Sequence, residues 1–447
     1  MKIYPFRGIR YDAGKVGDLS SVVTQPYDKI DDELMRKYYA KSPYNFTRII
    51  KAEVEPHEAY NNRYARAREY MKKWLSEGIF IRDEHPAVYV YHQKFKYNGK
   101  VMIRKGFIAL VETQRFGEGV KAHEKTLEGP KADRLNLMRA TFANTEQIFM
   151  LYSDPGFGVS SALDAAIAGR EPDARAIDDF GEENLLWVVT DPEVHRKVTE
   201  GMADKQLFVA DGHHRYETAC NFFEEKALEG YVCEGSENIR NVMLTMVNMD
   251  EPGLVIFPTH RLIFGVKDFD PVAFLTKARM HFGVTTFRFA EEGGESGARR
   301  KLFEMMGAGA QTKTVFGFYA HGEDAFYLME FNDPKMMNRV LGKGFSKDYK
   351  KLDVAILHAV LKKFFKIDDA ALKAETNVNY VRGREEAIRR VNEVEKYQCT
   401  FLVNPTKIDD VKKVAMAGER MPQKSTDFYP KLLSGLVFNK MNCRKPE

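Results

Sequence analysis

The run Val209-Ala210-Asp211-Gly212-His213-His214-Arg215 separates an apolar strand pattern from an amphipathic helix pattern. Leu207-Phe208-Val209-Ala210 reads as a short buried strand, which puts Asp211 at its carboxyl end. In open α/β layers, ligand clefts form at that end of the strands. Gly212 permits a left-handed turn or a close backbone approach. His213, His214 and Arg215 then open the next helix, where cationic groups are unfavourable because a helix N-terminus already carries partial positive charge. A bound anion reverses that penalty, and the amides of the first turn add donors. The run is therefore expected to floor a phosphate-binding site. Taken alone, a helix cap with two surface histidines and a salt-bridged arginine would satisfy the same residues.

The rest of the chain bounds what surrounds this motif. At 447 residues, two or three domains are expected. Hydrophobic residues make up 44% and charged residues 30%, as in ordinary globular proteins, and no apolar run is long enough to span a bilayer. The formal net charge of +4 with no dense basic tail argues against a general nucleic-acid binder and slightly favours anionic ligands. The polar start, Met1 to Gly8, does not resemble a signal peptide. Cys220, Cys233, Cys399 and Cys443 are widely spaced, so reduced thiols and a cytoplasmic location are expected, with Cys220 as packing.

A β-hairpin is expected from Ala87 to Glu112, turned at Asn98-Gly99. The Gly-, Ala- and Asp-rich stretch from Asp154 to Glu183 reads as peripheral, and strands and helices then alternate through the motif to Phe257. Near Lys267-Asp268 the pattern restarts with a capped helix. The expected class is α+β, with domains 1–268 and 269–447 and with the loop 418–431 expected to return to the site.

Three further polar groups qualify as site candidates. His123-Glu124-Lys125-Thr126 lies in a polar loop, followed by Lys131-Ala132-Asp133-Arg134 at a helix start. A Glu beside a His can serve as general base or metal ligand, but Leu127 rules out H-E-x-x-H and hence a zincin. His260-Arg261 follows a strand. Lys424-Ser425-Thr426 can bind phosphate from a loop but lacks the Gly-rich spacing of a P-loop. A solvated charged loop or a strand-end histidine accounts for each of these equally well.

Phe208 to Ala219, reading F-V-A-D-G-H-H-R-Y-E-T-A, resembles the signature of an uncharacterised bacterial family, domain of unknown function 1015. The resemblance extends to Pro5-Phe6-Arg7-Gly8, Ser42-Pro43-Tyr44-Asn45, His123-Glu124 with Thr126, Asp133-Arg134 and Met421 to Lys431. Gln25-Pro26-Tyr27-Asp28 stands where many such chains have P-P-Y-D. D-G-H-H-R after a strand, with an H-E loop upstream, is also similar to archaeal free-serine kinases of the ParB/sulfiredoxin-like superfamily. That similarity implies a ParB/sulfiredoxin-like mixed-sheet core, elaborated by an N-terminal segment and a second α+β part. It implies Mg²⁺ and ATP or ADP as cofactors, and a box, Gly212 to Arg215, that cradles nucleotide phosphates. Glu124 and Asp211 map onto the catalytic carboxylates, Asp211 as Mg²⁺ ligand or as orienter of the attacking hydroxyl. His213 stands where sulfiredoxin has its nucleophilic Cys, which excludes that chemistry, and no helix-turn-helix DNA-binding pattern follows.

Three functions follow. The first is a nucleotide-dependent phosphotransferase on a small hydroxylated metabolite, with free L-serine as leading acceptor. The second is a phosphatase or metal-dependent hydrolase, with His123, Glu124, Asp211, His213 and His260 gathered around a metal. The third is a non-catalytic nucleotide-binding or sensor protein. Nucleic acid and membrane are not expected partners, and the sequence leaves the oligomeric state open.

Overall fold

The computed structural model describes residues 1–55, 62–122, 128–310, 312–342 and 344–445. Two compact units emerge. Among the described residues, the first holds 1–122, 128–255 and 430–445, and the second holds 256–429. The expected boundary near 268 and the observed exchange at 255/256 differ because His260–Phe264 pairs with Tyr397–Leu402 and Val378–Val381 in the second unit's sheet.

The first unit is built on a nine-stranded mixed sheet. Its order runs Val120–Lys121, Leu207–Asp211, Phe149–Tyr152, Asn241–Asn248, Lys100–Glu112, Val88–Tyr97, Glu183–Val189, Ala174–Ile177, with Ile3–Tyr4 also on the strand Lys100–Glu112. Leu207–Asp211 lies parallel to Val120–Lys121 and antiparallel to Phe149–Tyr152. The hairpin is as expected: Tyr97 faces Lys100 across a two-residue turn, and Asn98 and Gly99 both take positive φ. Asn-Gly supplies that pair of left-handed conformations at little steric cost.

Leu207, Val209 and Leu244 pack into one core with Val159, Leu163, Val198 and Met202. This corrects the peripheral reading of 154–183. The helix Gly158–Ile167 lends three residues to the core, and Ala174–Ile177 is a strand of the sheet. Small residues let that segment pack closely, and a pattern of Gly, Ala and Asp hides it.

The second unit carries a six-stranded antiparallel sheet, with helices Glu295–Gly309 and Arg384–Glu393 packed on it around Leu302, Phe326 and Ile388. Among the described residues, no helix is long and apolar enough to cross a membrane.

The cysteine reading needs correction. Cys233 and Cys443, 210 residues apart, form a disulfide, because the short strands Val232–Cys233 and Cys443–Arg444 pair with these two residues opposite one another. Cys220 and Cys399 are free thiols. Burial pushes the Cys220 thiol up to about 12, which suits packing rather than chemistry.

Candidate functional site

The strand Leu207–Asp211 buries its first four residues and delivers Asp211 half-buried at its end. The chain then turns through Gly212, at φ 93°, into the helix His213–Leu228. The Gly212 amide donates to Asp211 Oδ1 at 3.0 Å. A Cβ at Gly212 would stand 3.1 Å from the Arg215 guanidinium, so glycine is required by the turn and by what packs over it. The N-cap position is Gly212 itself, which has no side chain to cap the helix.

Cations converge on Asp211. Lys431 Nζ lies 3.5 Å and Arg215 Nη2 3.6 Å from Asp211 Oδ2. Burial alone would push the Asp211 carboxyl up, but Lys431, Arg215, Lys29 and His213 outweigh it and hold it well below the usual carboxylate range. Asp211 is therefore ionised throughout the physiological range. Arg215 is buried, and its Nη1 also donates to the Gln147 carbonyl. Burial opposes its charge, whereas Asp211, Glu146, Asp28 and Tyr27 raise its pKa above the ordinary value.

Lys431 is held from below. Gln93 Nε2 donates to the Lys431 carbonyl at 2.8 Å, and Arg104 Nη2 donates to the Pro430 carbonyl at 2.6 Å. Arg104 is 2% exposed, stacks 4.5 Å over Phe149, and also feels the charge of Asp211. Burial pulls its pKa down to about 10.

A second network adjoins the first. Arg134 Nη1 pairs with Glu146 Oε2 at 2.7 Å, and its Nε donates to Asp133 Oδ2 at 2.8 Å. Glu146 Oε1 also accepts from the Tyr27 amide at 3.0 Å, and the Arg134 guanidinium stacks 4.0 Å from the centre of the Tyr27 ring. Arg63 and Tyr64 hold the other oxygen of Asp133, at 2.6 and 2.8 Å. A cavity of about 340 Å³ opens against Tyr27, Lys51, Arg63, Tyr64, Asp133 and Arg134. Glu146 joins the networks, since its charge acts on both Arg134 and Arg215. His214 is half-buried. Burial lowers its pKa, opposed by Asp28 and Glu217, and the latter pairs with Lys131 at 3.2 Å.

The structure thus brings together Asp211, Gly212, His213, Arg215 and the Asp133-Arg134 pair. His123, Glu124 and Thr126 lie outside the described residues. His260, Arg261, Lys424, Ser425 and Thr426 belong to the second unit. There His260 Nδ1 accepts from the Val403 amide at 3.1 Å, Arg261 donates to the Thr259 and Lys424 carbonyls, and Lys424 pairs with Glu375 at 3.5 Å. Thr406 Oγ1 donates to the Ser425 carbonyl at 2.6 Å. From the loop 418–431, Lys431 is the residue placed on Asp211.

Sequence reasoning missed Lys431, Lys29, Arg104 and Glu146. Arg104 is buried on a strand that also carries Lys100, Lys105 and Glu112, and nothing in the sequence sets it apart from them. Lys431 and Lys29 sat in or beside quoted motifs and carried no signal of their own.

The described surroundings of Asp211 offer it cations and an amide rather than further metal ligands. Oδ1 accepts from Gly212, and Oδ2 is faced by Arg215 and Lys431. Among the described residues, no group of three or more His, Cys, Asp or Glu is placed to hold a metal.

The family described as Protein of unknown function (DUF1015) matches residues 3–355. A conserved hypothetical protein from Pyrococcus furiosus is 10% identical, with a TM-score of 0.33 over 76% of this chain and 95% of its own. A free serine kinase in complex with AMP is 10% identical, with a TM-score of 0.34 over 74% and 92%. SbnI from Staphylococcus aureus, truncated at its C-terminus, is 12% identical, with a TM-score of 0.34 over 73% and 85%. No curated protein matches.

Proposed function

The chain belongs to the DUF1015 family of proteins of unknown function, and from that premise and the charge pattern at Asp211 we propose that it is a nucleotide-dependent phosphotransferase acting on a small hydroxylated metabolite, with free L-serine as the leading acceptor. The observation that carries the reading is a carboxylate at a strand end, faced by Lys431 and Arg215 and within the field of Lys29, where the chain turns through Gly212 into a helix. Phosphoryl transfer needs positioned positive charge more than covalent chemistry. Lys29, Arg215 and Lys431 supply it around Asp211 at a helix N-terminus, and a nucleotide phosphate fits that donor set.

In this reading Asp211 holds Lys431 and Arg215 in position and accepts a hydrogen bond from the acceptor hydroxyl. ATP or ADP is the donor. Lys29, Arg215 and Lys431 would hold the nucleotide phosphates, and Mg²⁺ bound with the nucleotide would supply further positive charge there. Glu124 takes the hydroxyl proton, a role that rests on the H-E motif alone. The mixed sheet is proposed to be a ParB/sulfiredoxin-like core, and the cavity at Tyr27 and Asp133 to receive the body of the nucleotide or the acceptor. Incubating purified chain with Mg²⁺, L-serine and ATP or ADP, then reading products by ³¹P NMR, tests the proposal. Phosphoserine is the expected product. A folded protein that binds nucleotide but phosphorylates neither serine nor a panel of small alcohols overturns it.

A further inference from the structure

The second unit contains a cavity of about 520 Å³ that no part of the phosphotransfer reading uses. Its described lining comes from residues 310–421, all within that unit. Phe331, Leu352, Val354, Ile356 and Met421 provide an apolar surface. Lys313, Lys347, Lys350, Lys351 and Lys407 stand around it, against two carboxylates, Asp353 and Asp410. Lys313 is partly neutralised by Glu330 at 2.7 Å, and Lys350 donates to Asn338 at 2.9 Å. Asp353 accepts from Thr314 Oγ1 at 2.7 Å, and burial pushes its carboxyl up to about 6, which weakens its claim on the nearby lysines.

The two features are separate and ordered. Helix Lys347–Lys351 carries three lysines, with Asp348 and Tyr349 between the first and the last two, and Asp353–Val360, which follows it, contributes Val354 and Ile356 to the lining. A cavity of a few hundred Å³ with an apolar lining and few polar anchors is the usual form of a small-molecule site. Here the lysines outnumber the carboxylates five to two. An apolar body would bury against Phe331, Leu352 and Ile356, and a negative head would meet the lysines. A free inorganic ion would use only the lysines, and a neutral apolar molecule only the lining.

We propose that this cavity binds a small amphipathic organic anion, a carboxylate or phosphate ester on an apolar body, at a site separate from Asp211. The probes are phenyl phosphate and phenylacetate, which distinguish the two headgroups, with inorganic phosphate and phenol as the halves of the first. Calorimetric titrations use the full-length chain, the double variant Lys347→Glu/Lys351→Glu, and Lys431→Gln, which weakens the site in the first unit. Both substituted lysines of the double variant are exposed, so its thermal melting should match the parent.

The expected result is that at least one aryl anion binds ten times more tightly than phosphate or phenol. That binding falls at least tenfold in the double variant and survives Lys431→Gln. Equal affinity for inorganic phosphate, or binding that follows Lys431 and ignores Lys347 and Lys351, overturns the proposal. So does the absence of aryl-anion binding to the folded parent. Because the phosphoserine assay reads the first unit alone, the two proposals fail separately.

Discussion

Two strand ends in this molecule present a histidine and an arginine, and they have opposite fates. At Asp211–Arg215 the strand stops half-exposed, the guanidinium meets a carboxylate, and Lys431 is added from a segment more than two hundred residues away. At His260–Arg261 the residues are inside the second unit's sheet, 2% and 0% exposed, and they hydrogen-bond to main-chain groups. Burial lowers His260 to about 3 and Arg261 to about 10, so that region penalises charge. The first region holds its charges by pairing them, and Asp211 stays ionised. A strand-end His-Arg pair is thus no site by itself. The glycine turn, the carboxylate and the converging lysines make the difference.

The sharpest attempt to break this contrast is Asp211→Asn. The amide keeps an acceptor for Gly212 but leaves Arg215 and Lys431 without their anion, and turnover should fall on the order of 10²–10³-fold with the fold retained. Circular dichroism alongside the phosphoserine assay checks both halves. Next in size, Glu146→Ala removes one partner of the buried pair with Arg134 and should cost about 3 kcal/mol, read from urea unfolding. A loss below about 1 kcal/mol would mean that Asp133 alone satisfies Arg134.

Gly212→Ala sharpens the contrast at the backbone. The left-handed turn and the 3.1 Å approach to Arg215 both oppose a Cβ, for about 2 kcal/mol. Gly418→Ala, at φ 71° with open space around it, should cost only the turn, about 1 kcal/mol. Similar losses at both positions would show that Arg215 yields.

The contrast also has a pH-dependent side in the second unit. His260 and His358 are each held near 3 by burial. Their unfolded value is about 6.5, so below that pH the unfolded chain takes up protons the folded chain refuses. Their contribution is fully present above about 6.5 and is lost as pH falls toward 3, at about 1.4 kcal/mol per pH unit for each imidazole. His260→Gln keeps an acceptor for the Val403 amide and should remove one such increment from the slope between pH 6.5 and 5. An unchanged slope would place the imidazole in water.

Local rules carried the reading wherever one residue decides a conformation. Asn98-Gly99 fixed the hairpin, and Gly212 fixed the strand-to-helix turn. Pairings over long separations were beyond such rules. The reach of Lys431 to Asp211 depends on Gln93 and Arg104 holding residues 430 and 431. The disulfide depends on two short strands finding each other across 210 residues. Glu146 carries no mark of its own in the sequence, because its importance comes from Arg134 and the Tyr27 amide.

The central claim, an anion site assembled on Asp211, is tested most directly by calorimetric titration of ADP into the parent chain and Lys431→Gln at two salt concentrations. Lys431 is 10% exposed and held by its own backbone, so its replacement should leave the fold intact. Binding at least tenfold weaker in the variant, with a shallower salt dependence than the parent, is the predicted result. Equal affinity and equal salt dependence in the two proteins would contradict it.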